Sequence, residues 1–176
     1  VRQKAEPVAY RGKAPAERLE SALYLCPGCR RVGTLKSRGC VLRCACCDFT
    51  VTCDTEGLFH PGAPFENIAR WDAWQQETLI SGDYEHGAAL FSDEAISLKR
   101  ILEGHRTETL PAGSLVQWED RLRCGSMVFP LSEIDFMAMV QKRTLLFSCG
   151  SAHYEIKCRK GSNLRKYLAV WQNAKE

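Results

Sequence analysis

Cys26, Cys29, Cys44 and Cys47 form two C-x2-C pairs about fifteen residues apart. Each pair puts two thiolates on one tight turn, and four thiolates are the ligand set of a tetrahedral structural zinc site. The stretch between the pairs is long enough for a β-hairpin that carries the second turn back to the first. The spacing therefore predicts a zinc ribbon with Zn2+ on these four cysteines. A structural site uses every position for protein ligands and leaves none for water, so the metal is expected to hold the fold and do no chemistry. Cys46 lies close enough to compete as a ligand, and His60 is the only histidine near enough in sequence to substitute. Zinc turns of this kind commonly carry glycine just after the second cysteine, where a left-handed backbone is favoured; here Arg30 and Asp48 stand there. Asp tolerates that conformation better than Arg, so the first turn is expected to be strained or differently shaped.

No catalytic constellation accompanies the cysteines. The chain has no G-x-S-x-G elbow, no phosphate-binding loop and no dinucleotide fingerprint. The four histidines read as solvent or packing residues. The formal charge of +3 says little by itself, but its distribution is uneven. Between Cys26 and Cys47 lie Arg30, Arg31, Lys36, Arg38 and Arg43 and no acid. A zinc bound by four thiolates carries a net −2, which leaves this segment positive. It reads either as an ordinary solvated hairpin or as a surface for an anionic partner. A second basic group, Lys99, Arg100 and Arg106, falls near a predicted hairpin further on.

The elements that must position these groups follow from periodicity. Ala14 to Tyr24 reads as a short helix feeding the first cysteine turn, and Glu66 to Leu79 as a second helix with Ile68, Trp71 and Trp74 on one side and Gly82 as its stop. The tryptophans are expected to pack; a membrane-facing aromatic edge is the alternative. Beyond Gly87 the pattern turns to short strands: Val116 and Trp118, Leu122 and Cys124, Met127 to Leu131, Phe136 to Val140, Thr144 to Ser148, and His153 to Cys158 alternating wet and dry. Turns are expected at Glu119-Asp120, Gly125-Ser126 and Gln141-Lys142-Arg143. A last helix, capped by Ser162 or Asn163, carries Leu164, Tyr167, Leu168 and Trp171 as an apolar stripe, and its face of Leu164, Leu168 and Trp171 is expected to be buried. The fold class is thus mainly β with a few helices (α+β): a helical lead-in over 1–25, a zinc ribbon over 26–65, a helix and linker over 66–87, and a small antiparallel barrel closed by a C-terminal helix over 88–176. The barrel looks like a pleckstrin-homology-like or GRAM-like one.

At 176 residues the chain can bury a core without staples, so Cys40, Cys46, Cys53, Cys124, Cys149 and Cys158 read as reduced thiols in a cytoplasmic compartment. The longest apolar runs, such as Phe136 to Val140, are far short of the roughly 20 residues of a membrane helix. The opening Val1-Arg2-Gln3-Lys4 has neither an initiator Met nor a signal core, and the chain is expected to be a piece of a longer one.

The stretches Tyr10 to Lys13 and Glu17 to Pro27, then Gly33-Thr34-Leu35 with Ser37, Leu42, Cys44, Cys46 and Cys47, then Arg70 to Gln75 and Phe129 to Ile134, resemble the region after the catalytic domain in certain bacterial 1-acyl-sn-glycerol-3-phosphate acyltransferases. The likeness is most specific over 8–80. Members of that family work through a His-x4-Asp pair, the His acting as base and the Asp orienting it. Here Phe65, Phe91, Leu110 and Cys158 stand five positions after the histidines. The resemblance therefore implies an accessory C-terminal module without catalytic residues. Its expected partners are a catalytic acyltransferase domain in the same full-length chain and anionic lipid at the inner face of the membrane, contacted through Arg30, Arg31, Lys36, Arg38, Arg43, Lys99, Arg100 and Arg106. A nucleic-acid-binding ribbon or a protein-interaction module is the alternative. The ribbon tip has no aromatic residue to stack on bases, which disfavours nucleic acid.

Overall fold

The computed structural model describes residues 12–60, 62–81, 89–94, 96–111, 113–141, 143–158 and 162–175. The expected helix stop at Gly82 and the turn residue Lys142 lie outside them. The chain divides into two compact units, Val1–Glu77 and Thr78–Glu176.

In the first unit, β1 (Leu35–Arg38), β2 (Val41–Cys44) and β3 (Thr50–Thr52) form a three-stranded antiparallel sheet in that order. The expected hairpin between the cysteine pairs is β1–β2, with Leu35 opposite Cys44 and Arg38 opposite Val41. The expected helix over Ala14 to Tyr24 is reduced to one 3-10 turn, Leu19–Ser21. Arg18 before it sits at φ 68°, and Leu23, Tyr24, Leu25 and Cys26 after it are all buried. Four consecutive buried residues cannot lie on one face of a surface helix, so the chain runs through the core there instead. Helix α1 (Ile68–Ser81) forms as its periodicity predicts. Asn67 caps it, its side-chain oxygen accepting the Arg70 N–H at 3.0 Å.

Trp71 fixes α1 to the rest of the unit. It is fully buried, and its indole N–H donates to the Leu25 carbonyl at 3.1 Å. Phe49, Phe59 and Phe65 surround it with ring centroids 5.3–5.6 Å away, close to edge-on for the first two. One turn on, the buried Gln75 satisfies the chain entering the cysteine turn: its oxygen accepts the Tyr24 N–H at 2.9 Å and its amide donates to the Ala22 carbonyl at 2.9 Å. The tryptophans are packing residues, as expected, and lead-in, ribbon and helix share one core cluster.

The second unit holds β4 (Phe91–Glu94), β5 (Ser97–Ile101), β6 (Thr107–Leu110), β7 (Ser114–Gln117), β8 (Arg121–Cys124), β9 (Met127–Pro130), β10 (Ile134–Val140), β11 (Thr144–Cys149), β12 (Ala152–Lys157) and α2 (Arg165–Asn173). The α+β class and the C-terminal helix agree with the sequence, but the strands do not close. They form two antiparallel sheets, β10-β11-β12-β5-β6 and β4-β7-β8-β9, and no closed barrel joins them among the described residues. The sheets meet through Phe129 of one, which packs 4.9 Å from both Phe147 and Tyr154 of the other. Two sheets packed through their inner faces need no continuous hydrogen-bonded circuit.

Helix α2 is rotated from the expected stripe. Leu164, Lys166, Tyr167 and Val170 are the buried positions, whereas Leu168 and Trp171 are half-buried. Asp93 accounts for the difference. It takes the Lys166 ammonium at 2.7 Å and the Tyr167 hydroxyl at 2.7 Å, drawing both side chains inward. Trp171 stays at the rim, its indole N–H donating to the Ile134 carbonyl at 3.0 Å. Asn163 supplies the expected cap, accepting the Arg165 N–H at 2.9 Å.

Candidate metal centre

The first cysteine turn is closed by the backbone. The Cys26 N–H donates to the Arg31 carbonyl at 3.1 Å and the Arg30 N–H donates to the Cys26 carbonyl at 2.8 Å. Arg30 adopts φ 55°, the left-handed conformation anticipated for that position, with the cost a side chain brings there. Asp48 is not left-handed. The second turn is held instead by the Cys44 N–H on the Phe49 carbonyl at 2.9 Å and the Cys46 N–H on Cys44 Sγ at 3.3 Å.

These turns bring the sulfurs of Cys26, Cys29, Cys44 and Cys47 within 4.8 Å of one another. Cys26 and Cys47 are 3.7 Å apart, as are Cys29 and Cys44, so each close contact joins the first turn to the second. A disulfide needs about 2.05 Å, and all four cysteines are free thiols. A regular tetrahedron of sulfurs about 2.3 Å from a central zinc has edges of about 3.8 Å. The four cysteines thus have the chemistry and the spacing to hold a metal ion. Cys46 is exposed and offers the cluster its backbone N–H, not its sulfur. His60 is not a member either; its Nε2 lies 2.7 Å from Asp54 Oδ2.

The local electrostatics act in opposite directions on Cys26 and Cys44. Burial pushes the Cys26 thiol up to about 12, and Cys44 and Cys47 add to the rise against the N–H groups of Cys29 and Gly28. Burial opposes ionisation of Cys44 too, but the Thr34 hydroxyl, the N–H groups of Cys46 and Cys47 and the Cys26 thiol outweigh it and bring Cys44 down to about 6. A cation bound by the cluster would displace the protons that burial holds on its thiols.

Three supporting residues escaped the sequence reading. The Thr34 hydroxyl oxygen lies 3.2 Å from Cys44 Sγ and accepts its thiol hydrogen. Gly28 is needed for space: a Cβ there would stand 3.2 Å from the Phe49 Cβ and 3.3 Å from Cys47 Sγ. Phe49 passes the contact on to Trp71. The glycine inside the first C-x2-C was visible as a type of residue, but its close approach to the second turn is a tertiary fact.

The basic residues separate into groups. Lys36, Arg38 and Arg43 share the outward face of the ribbon sheet, Lys36 directly opposite Arg43, and line a shallow groove of about 370 Å³ with Ser37 and Val41. Arg30 and Arg31 are exposed on the first cysteine turn, off the sheet. In the second unit, Lys99 and Arg100 are consecutive on β5 and point to opposite faces, Lys99 opposite Glu155 and Arg100 opposite Glu108. Arg106 reaches the Glu103 carbonyl at 3.4 Å. The hairpin expected near them is β5–β6, but these three cations do not converge, and acids face two of them.

Comparison with family models, curated proteins and solved structures finds no match for the chain. Among the described residues no helix is long and apolar enough to cross a membrane.

Proposed function

We propose that the chain is a non-catalytic accessory module of a membrane-surface 1-acyl-sn-glycerol-3-phosphate acyltransferase, with a structural zinc ion in its first unit. The observation that carries the metal part is the set of four sulfurs within 4.8 Å of one another, contributed by two turns that no disulfide joins. A four-thiolate set leaves no position for water, which suits a structural ion and not a hydrolytic one. The acyltransferase part rests on the resemblance over 8–80 and on the missing His-x4-Asp pair, which assigns catalysis to a domain elsewhere in the full-length, cytoplasmic protein. The two units would hold that domain at the inner face of the membrane.

Elemental analysis of freshly purified protein tests the first part: one zinc per chain is expected, and iron or no metal overturns it. The residues encoded just before Val1 test the second. A domain bearing the His-x4-Asp pair is expected there, and an unrelated upstream sequence overturns the assignment.

A further inference from the structure

We infer that the outward face of the three-stranded sheet is a docking surface for anionic phospholipid headgroups, with Lys36, Arg38 and Arg43 set against lipid phosphates. This deepens the accessory-module reading and rests on the metal-closed ribbon. Strand alternation sorts the sheet: Leu35, Leu42, Cys44, Val51 and Cys53 point into the core, and Lys36, Arg38, Val41, Arg43, Thr50 and Thr52 point out. The register then packs the cations together. Lys36 lies directly opposite Arg43, Arg38 is opposite Val41, and Arg43 is opposite Thr50.

Like charges directly opposite each other on a sheet repel, and an acid on a neighbouring strand ordinarily offsets the cost. None does so here. The remaining outward positions of the sheet are Val41, Thr50 and Thr52. Glu20 meets the hairpin through the inward-facing Ser37 hydroxyl, and Glu17 meets it through the Gly39 N–H at the tip. Among the described residues no ion pair uses Lys36, Arg38 or Arg43. An uncompensated cluster of this kind is relieved by an external anion.

Geometry selects the kind of anion. The face is short and carries no aromatic ring, so it lacks the stacking platform that single-stranded nucleic acid uses. Three cations on a plane fit the planar array of phosphates on an anionic bilayer, where each contributes roughly a fivefold gain in partition. Val41 and the exposed Cys40 at the hairpin tip add a small apolar contact between headgroups.

Co-sedimentation of the full chain with vesicles of phosphatidylglycerol and phosphatidylcholine tests the inference, with phosphatidylcholine vesicles as the neutral reference and metal content measured for every variant. The wild type is expected on the anionic vesicles alone, and binding should fade between 0.1 M and 1 M salt as the Debye length falls from about 10 Å to about 3 Å. The combined Lys36→Gln, Arg38→Gln and Arg43→Gln variant is expected to lose about a hundredfold in partition. The combined Lys99→Gln, Arg100→Gln and Arg106→Gln variant should stay within about twofold. Thr50→Glu places an acid opposite Arg43 without touching the core, and its expected weakening keeps the test decisive if the triple variant loses metal. Undiminished binding by the triple variant or by Thr50→Glu, equal binding to neutral vesicles, or tighter binding to a nucleic-acid duplex at equal phosphate concentration overturns the inference. A chain that holds its metal but ignores anionic vesicles defeats the docking surface alone, whereas a chain without metal defeats the ribbon on which it rests.

Discussion

The two units solve the problem of a polar interior in opposite ways. In the first, two of the buried core residues, Cys26 and Cys44, are also members of the sulfur cluster, and Cys29 and Cys47 pack against the same core. The core and the metal site are one object. In the second, the core is the apolar interior of two facing sheets, and the polar element is the Lys166–Asp93–Tyr167 cluster under α2. There Lys166 is 3% exposed and also lies 4.9 Å over the Phe91 ring. A unit with a three-stranded sheet and one helix buries too little apolar surface to be stable with ease, so an ion that bound only the folded form would contribute much of its stability. In the larger unit the buried ion pair chiefly decides which face of α2 turns inward.

The largest effect that could break this contrast is removal of the metal. Cys26→Ser, or a strong chelator, is expected to unfold the first unit, since structural zinc contributes about 10–16 kcal/mol in small zinc domains. Hydrogen exchange should then show Leu42 unprotected while Leu145 keeps its protection. Loss of protection at both sites would mean that the units are not energetically distinct. Acidification should act in the same direction, because protons compete with the metal for the thiolates.

The corresponding cut in the second unit is Asp93→Ala. It strands a buried ammonium and removes one acceptor of the Tyr167 hydroxyl, whose other is the Leu115 carbonyl at 3.1 Å. Urea unfolding is expected to register a loss of about 3–5 kcal/mol, without change in metal content. Replacing both members, Asp93→Leu with Lys166→Met, should recover most of that loss. If the double variant is as unstable as the single one, the pair is not a substitutable clamp.

The two tryptophans sharpen the comparison at smaller amplitude. Trp71→Ala empties the centre of the first unit and should cost about 3–5 kcal/mol. Trp171→Ala removes a half-buried ring and one hydrogen bond, so about 1–2 kcal/mol is expected. Equal costs in thermal unfolding would show that Trp171 is enclosed after all. The smallest predicted change has the opposite sign. Arg30→Gly relieves the left-handed φ of 55° and should stabilise the metal-bound first unit by about 1 kcal/mol, read as a raised midpoint in denaturant.

Local rules made much of this legible. C-x2-C spacing named the four sulfurs because two residues on one tight turn are neighbours whatever the rest of the chain does. Period-two alternation found the strand at His153 to Cys158, and period 3.6 found α1 to within two residues, because one-sided burial writes itself into sequence. Ala14 to Tyr24 misled for the converse reason. Its helical spacing was real, but residues 23–26 are buried on all sides, a condition that periodicity cannot express. Helix α2 was found while its buried face was misread, since a lysine counts as a surface residue until an aspartate 73 positions earlier in the chain takes it inward.

The amino-acid sequence by itself determined the α+β character, the ligand set and the excess of basic residues beside it, all of which depend on residue type and short-range spacing. Tertiary structure alone decided that the strands of the second unit form two sheets and not a closed barrel, because closure depends on which edges meet. It also decided that Lys36, Arg38 and Arg43 share a face while Lys99, Arg100 and Arg106 do not. Strand register, set by how the hairpins fold back, brings charges together or matches them with acids, and composition carries no record of that choice.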